Sequence, residues 1–372
     1  MEKVKILMLD NPESLSDILD GMYDWVRVVD ADNNVIFMNK SMSDAVGEYI
    51  PGTKCFSAVG KSTPCDICTS RKAVFKGYSF TKEEIINGRI FSVMSSPVRN
   101  KEGEIIAAVE VLRDITAMKV MEEKILQQHK KLSDDLEIAK KLQYSLLPKE
   151  HSEERYSFSF IYKPCESLGG DYLDIFAIDN DHIGIYIADV SGHGVPASML
   201  TVFLHSTIDK TLLSPSDALS GLYKEFNKSN LDKELYITVF YAIIDFRKGN
   251  ITYSNAGHNV CPVLYNSEGL NILMSAGTPI SNWIEGNPAY TDKVLPFKSG
   301  DKLFLSTDGA IEIKNACNEM LGQERLINML TKDKSPSSEA LNNVLNIIYE
   351  FSGIKDPSDI IDDITMALLE FK

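Results

Sequence analysis

Cysteine is sparse, at six in 372 residues, and its uneven spacing excludes the disulfide framework of a small secreted domain. Basic charge is in deficit. The 38 Lys and Arg stand against 53 Asp and Glu, a net charge of −15. Without a long basic run, nucleic acid and anionic membrane are excluded as main partners. No apolar run reaches the length of a membrane span. The start of the chain, with Glu2, Asp10, Glu13 and Asp17, is unlike a secretory signal, so the expectation is a cytoplasmic protein. Histidine is missing before His129, which leaves the N-terminal third without a His ligand for haem. The G-x-S-x-G elbow of a serine hydrolase is missing around Ser191 and His193, which lie two apart on one turn. Long internal repeats and low-complexity segments are missing too. A chain of this length should hold two or three domains, each able to bury a core.

What the sequence does have is acid at strand ends. Residues 182–188 are apolar and β-branched, as in a core strand, and run into Asp189-Val190-Ser191-Gly192-His193-Gly194. Pro196 then sits near the first turn of a helix predicted over 195–213. Asp189 therefore ends a strand beside backbone that only glycine lets approach closely. Asp171 follows Gly169-Gly170 at the start of another strand. Asp308 follows a strand over 302–306 and precedes Gly309, and Asp362-Asp363 opens the last strand, 364–371. One Asp beside Gly is a turn residue; the signal is the recurrence. Gathered carboxylates repel one another and shift their pKa values upward unless a cation neutralises them. Oxygen ligands without Cys or His favour Mg²⁺ or Mn²⁺. Further strands at 158–163, 172–178, 235–246, 250–255 and 262–266, with helices at 215–229, 323–330 and 338–351, suggest two packed antiparallel sheets flanked by helices.

Six motifs occur in order over roughly residues 141–372: Leu146-Leu147-Pro148, Gly169-Gly170-Asp171, Asp189 to Gly194, Asn255-Ala256-Gly257-His258, Thr307-Asp308-Gly309 and Asp362-Asp363-Ile364-Thr365. They resemble the metal-dependent serine/threonine phosphatases of the PPM (type 2C) superfamily, above all the bacterial branch named after stage II sporulation protein E, which includes phosphatases that control stress-response sigma factors. The resemblance implies an αββα sandwich holding two Mn²⁺ or Mg²⁺ at one end. Asp189 would bridge the ions and the Val190 carbonyl would bind one of them. Asp308 and Asp362 would hold the first, and Asp171 would support the second directly or through water. Asp363 is the alternative to Asp362. The ions would activate a shared water for in-line attack on phosphoserine or phosphothreonine, without a covalent intermediate. His193 is either a general acid or a structural hydrogen bonder, and His258 shapes a strand turn near the site. The implied partner is a phosphorylated STAS-domain anti-sigma-factor antagonist. The rival is a non-catalytic signalling scaffold whose phosphatase-like domain binds a partner without turnover. This chain departs from the family at Gly277-Thr278-Pro279-Ile280-Ser281, where Gly-x-Pro-Leu-Gly is common, and at Cys165, where Ala is common. The phosphate-binding arginine of eukaryotic members has no counterpart.

In the N-terminal third, a helix over 14–21, strands at 25–30 and 35–39, short helices at 41–46 and 68–76, and strands at 78–85, 89–98 and 105–114 form a hairpin, a helical segment and a meander. That layout resembles a PAS sensor domain. Cys55, Cys65 and Cys68, spaced C-x9-C-x2-C, could hold Zn²⁺ or an iron–sulfur cluster, form a redox switch, or be plain loop thiols. A fourth ligand would be Asp66, solvent or a partner chain. The pocket could instead take a small apolar molecule or stay empty.

From 115 to 147 the chain is charged, free of Gly and Pro, and helical by propensity. Met118, Ile125, Leu132, Ala139 and Leu146 repeat every seven residues, with Glu122, His129, Leu136 and Gln143 as companions. The expectation is a weakened parallel coiled coil joining a homodimer; a solvated spacer helix is the alternative. The whole reads as α+β: a PAS sensor at 14–116, a coiled-coil signalling helix at 117–147 and a PPM-type domain at 148–372.

Overall fold

A computed structural model describes residues 12–50, 52–283, 286, 288–333, 335–356 and 359–372, with side chains from residue 16 onward. The stretch read for a leader, with Glu2 and Asp10, lies outside the described residues. The chain divides into two compact units, Met1–Lys131 and Leu132–Lys372.

In the first unit, Trp25–Asp30 (β1) and Val35–Met38 (β2) form a hairpin turned at Asn33, which takes a left-handed φ of 65°. Pro12–Asp20 (α1), Lys40–Val46 (α2) and Thr69–Lys76 (α3) are the helices. The buried Asn39 caps α2 by accepting from the Met42 N–H, and its amide donates to the Leu19 and Asp24 carbonyls. Phe80–Ile86 (β3), Arg89–Arg99 (β4) and Ile105–Asp114 (β5) complete an antiparallel sheet in the order β2-β1-β5-β4-β3. Val29, Val35, Met42, Phe91 and Leu112 are its core.

Thr116–Leu146 (α4) is a single helix of 31 residues. Met118, Ile125 and Leu132 on the expected seam are exposed, whereas Ala139 and Leu146 are half-buried. The companion line differs from expectation at Gln143, which is buried within the second unit. The exposed apolar neighbours of the seam are instead Met121 and Leu142, at 62% and 64% exposure.

The second unit has four layers. One sheet runs β15-β11-β10-β9-β8, from Lys293–Pro296 (β15), Asn250–Ala256 (β11), Tyr236–Asp245 (β10), His182–Val190 (β9) and Tyr172–Ala177 (β8), with Ile280–Ser281 (β14) added beside β10. The other runs β13-β12-β16-β17-β7-β6, from Leu270–Ile272 (β13), Val263–Tyr265 (β12), Lys302–Ser306 (β16), Ile364–Phe371 (β17), Tyr156–Lys163 (β7) and His151–Ser152 (β6). Side chains alternate across each strand. In β9, Ile183, Ile185 and Ile187 enter the core between the sheets, while Tyr186, Ala188 and Val190 pack under Gly194–Thr207 (α5) and Pro215–Lys228 (α6). In β17, Ala367 and Leu369 point between the sheets, and Ile364, Met366 and Leu368 meet Gln323–Lys332 (α7) and Ser337–Ser352 (α8).

The sequence predicts α5 to residue 213, yet it ends at Thr207. Asp209 accepts from both the N–H and the hydroxyl of Thr211, a local turn that competes with helix.

Candidate metal centre

Period-two alternation builds the site. The inward row Ile183-Ile185-Ile187 of β9 continues to Asp189, and inward Leu173 of β8 is preceded two residues earlier by Asp171. In the facing sheet, Leu303-Leu305 continues to Thr307, and Ala367-Leu369 extends back through Thr365 to Asp363. The apolar core between the sheets thus turns polar at one end. Asp308 and Asp362 lie one residue further along and sit at the rim, half-buried and exposed respectively.

The two sheets are tied together here. The Thr307 hydroxyl donates to Asp171 Oδ2 at 2.7 Å. Asp363 accepts from the N–H groups of Cys165 at 2.7 Å and Gly170 at 2.5 Å, with Asp171 N at 3.4 Å. Glycine is required where backbones meet. A Cβ on Gly309 would lie 2.1 Å from the Asp363 carbonyl oxygen, and one on Gly170 would lie 3.0 Å from that of Val190. Gln143, from the last turn of α4, donates to the Gly169 carbonyl at 2.7 Å and accepts from the Gly169 N–H at 3.2 Å. The sequence reading gave Gln143 to a helix seam; no sequence signal points to a partner 26 residues away.

Electrostatics mark the same cluster. Asp171 is raised well above the ordinary carboxylate range by burial and by the charges of Asp189 and Asp363. Burial, then Asp308, Asp362 and Asp363, push Asp189 up to about 8. Asp362 is raised by desolvation and by Asp308 and Asp363. Among the described residues, no three Asp, Glu, His or Cys side chains converge closely enough to hold an ion as they stand. Several already have partners: Asp171 takes the Thr307 hydroxyl, Asp308 the Asn259 amide at 2.9 Å, and Asp363 the backbone amides. The donor set is nonetheless hard oxygen carrying mutual repulsion, and divalent cations relieve that condition.

His193 occupies the N-cap position of α5 without a side-chain cap and is exposed, its Nδ1 2.7 Å from Glu166. His258 is buried: Nε2 donates to the Ser306 carbonyl at 3.0 Å, and its backbone is clasped by Asn255. Burial lowers its pKa, so it stays neutral and joins the turn after β11 to the end of β16.

In the first unit, Cys55, Cys65 and Cys68 line one cavity of about 30 Å³. That volume suits a water, not an organic cofactor. Arg27 and Glu110, paired at 2.7 Å, line it too, and Arg27 also donates to the Cys55 carbonyl. Burial pushes the Cys55 thiol up to about 11.

An αββα sandwich with carboxylates gathered at one end, linked by a helix to a PAS-type sheet, is the architecture of a sensor-linked PP2C-type (PPM) protein. The chain belongs to the stage II sporulation protein E family, whose description matches residues 179–372, and residues 19–120 match a PAS fold. It is 27% identical to Protein IcfG of Synechocystis sp. over 62% of this chain. It is 29% identical to phosphoserine phosphatase RsbU of Bacillus subtilis over 65%, and 27% identical to phosphoserine phosphatase RsbP of that organism over 49%. The chain spans 40%, 71% and 46% of those relatives' own lengths. In structure it resembles the SiaA-PP2C domain of Pseudomonas aeruginosa, with a TM-score of 0.57 at 22% identity over 66% of this chain and 99% of that one.

Proposed function

We propose that the chain is a Mn²⁺- or Mg²⁺-dependent phosphoserine and phosphothreonine protein phosphatase, controlled by its PAS unit. The observation that carries the reading is the polar end of the sandwich, where inward rows of both sheets terminate in Asp171, Asp189 and Asp363 with Asp308 and Asp362 at the rim. In this reading Asp189, the Val190 carbonyl, Asp308, Asp362 and Asp171 would together hold the ions. Asp363, engaged by backbone amides, positions the Gly169-Gly170 turn instead of ligating. When bound, the ions supply a water acidic enough to attack near neutral pH and positive charge facing the phosphoryl group. Asp171 and Asp189, whose ionisation burial and neighbouring carboxylates oppose, would be held as carboxylates by the ions' charge. His193 is the proton donor to the leaving serine oxygen, and Glu166 orients it.

The substrate in this reading is a phosphorylated STAS-domain protein in the cytoplasm, supported by the likeness to two phosphoserine phosphatases. No helix among the described residues is long and apolar enough to cross a membrane. The chain acts as a homodimer through the PAS unit and the exposed seam of α4. The three cysteines, gathered around a cavity too small for a cluster, serve the sensor as a thiol redox site.

The test is phosphate release from a phosphoserine STAS-domain protein by the full chain, with Mn²⁺ or EDTA, beside Asp308→Ala. Release should need Mn²⁺ and fall about 100-fold or more in the variant. Mn²⁺ and substrate binding without release would overturn the enzyme in favour of a scaffold. His193→Gln should slow the phosphoprotein but spare p-nitrophenyl phosphate, whose leaving group needs no proton.

A further inference from the structure

A cleft of about 300 Å³ opens beside the acidic centre. One wall is the turn that follows Asp308, with Gly309, Glu312, Ile313 and Met320. The other is the chain leading into Asp362, with Asp359 and Ile361. Two large apolar side chains stand in solvent here: Ile361 is 93% exposed and Met320 51%. Both line the cleft side by side with the approach to Asp362.

The first wall is built to stay in place. The Ile311 and Glu312 N–H groups donate to the Asp308 carbonyl at 2.8 and 2.7 Å. Beyond them Lys314 and Met320 form an antiparallel bridge, closed by Asn315, whose side chain accepts from the N–H groups of Cys317 and Glu319. Met320 is therefore presented by a hydrogen-bonded turn, so a ligand docking on it would meet a surface already formed. The cleft also shares Gly309 and Asp362 with the acidic centre. Exposed Glu312 and Asp359 add acid at the cleft, against the single base Lys314.

We propose that this cleft seats the residues flanking the phosphoserine of the substrate protein, taking an apolar side chain against Ile361 and Met320 and a basic side chain toward Glu312 and Asp359. This rests on the phosphatase reading and adds a sequence preference to it. The occupant is a segment of the phosphoprotein, because the cleft is continuous with the position its phosphate must reach.

The experiment uses the full chain and two fluorescein-labelled phosphoserine peptides with flanking lysines, one with leucine on both sides of the phosphoserine and one with glycine. Fluorescence anisotropy reads binding whether or not hydrolysis occurs. The leucine peptide should bind about tenfold more tightly than the glycine peptide. Met320→Asp and, separately, Ile361→Asp should erase that ratio; both side chains are exposed, so the fold does not depend on them. Equal affinity of the two peptides for the unaltered chain, or a ratio that survives in both variants, would overturn the proposal. Mn²⁺-dependent hydrolysis of p-nitrophenyl phosphate by the unaltered chain reports on the phosphatase reading separately, since that ester has no flanking residues.

Discussion

Asp362 and Asp363 are neighbours in sequence with opposite surroundings. Asp363 ends an inward row, is buried, and accepts backbone N–H groups from the turn that precedes β8. Asp362 sits at the rim, where partial desolvation and then the charges of Asp308, Asp363 and Glu312 oppose its ionisation. Asp363→Ala would leave buried amides without an acceptor, an expected loss of about 2–4 kcal/mol in urea unfolding of the ion-free chain. Asp362→Ala should change that stability by no more than about 0.5 kcal/mol, yet remove Mn²⁺ binding. Equal destabilisation by both would refute the division of roles. The raised pKa of Asp189 has a consequence with a definite sign. A carboxyl held at about 8 in the folded chain and about 4 in the unfolded one contributes stability that is fully present below pH 4 and is lost as pH rises through 8. An ion that takes the proton's place removes this loss. Mn²⁺ should therefore stabilise the chain more at pH 8 than at pH 6, and calorimetry in buffers of different ionisation enthalpy should detect proton release on binding at pH 6.5.

At the scale of elements, much was legible because core strands and helices write their apolar pattern into sequence. The run from Ile183 to Ala188 is apolar throughout, which marks a core strand ending at Asp189 but does not say which face Asp189 takes; the structure supplies that. The long strands and helices of the second unit fall close to their expected ranges for the same reason. Strands β13, β14 and β15 span two to four residues, too short for a period to register, and they were not anticipated. Gln143 departs from the heptad expectation for a different reason. A heptad count assumes that a helix faces another helix, but the last turns of α4 face a glycine turn and α5. Its side chain meets Gly169 and Thr201 there. The Tyr172 hydroxyl, also close to His205, donates to the Leu146 carbonyl at the end of the same helix. The end of α4 is thus bonded to the residues on either side of Asp171. Gln143→Leu keeps the bulk and removes the bonds. The expected result is a loss of about 1–3 kcal/mol in the second unit and faster amide exchange over residues 168–172. Unchanged exchange there would mean that the turn holds itself and that Gln143 is a passive filler.

For the whole molecule, the proposed control by the PAS unit has to pass along α4, the helix that joins the two units. Met118, Met121, Ile125 and Leu132 form an exposed apolar stripe along its first half, each more than half exposed. A single solvated spacer helix has no use for such a stripe, whereas a second copy of the helix would cover it. Further along, the seven-residue line turns inward at Ala139 and Leu146, beside Gln143 and Gly169. If two copies pair along the stripe, a rotation that repacks it would reach the Gly169-Gly170-Asp171 turn through the Gln143 bonds. Replacing both Ile125 and Leu132 by Glu places four acidic side chains in a two-stranded seam. At about 1.5–3 kcal/mol per lost aliphatic contact, the dimer should weaken by roughly 6 kcal/mol or more, over four orders of magnitude in Kd. Sedimentation velocity at micromolar concentration should show the unaltered chain as a dimer and the double variant as a monomer. If the monomer's Mn²⁺-dependent rate also departs from the dimer's, the helix carries the signal. A monomeric variant with the dimer's rate would leave α4 as a tether and move the control to direct contact elsewhere.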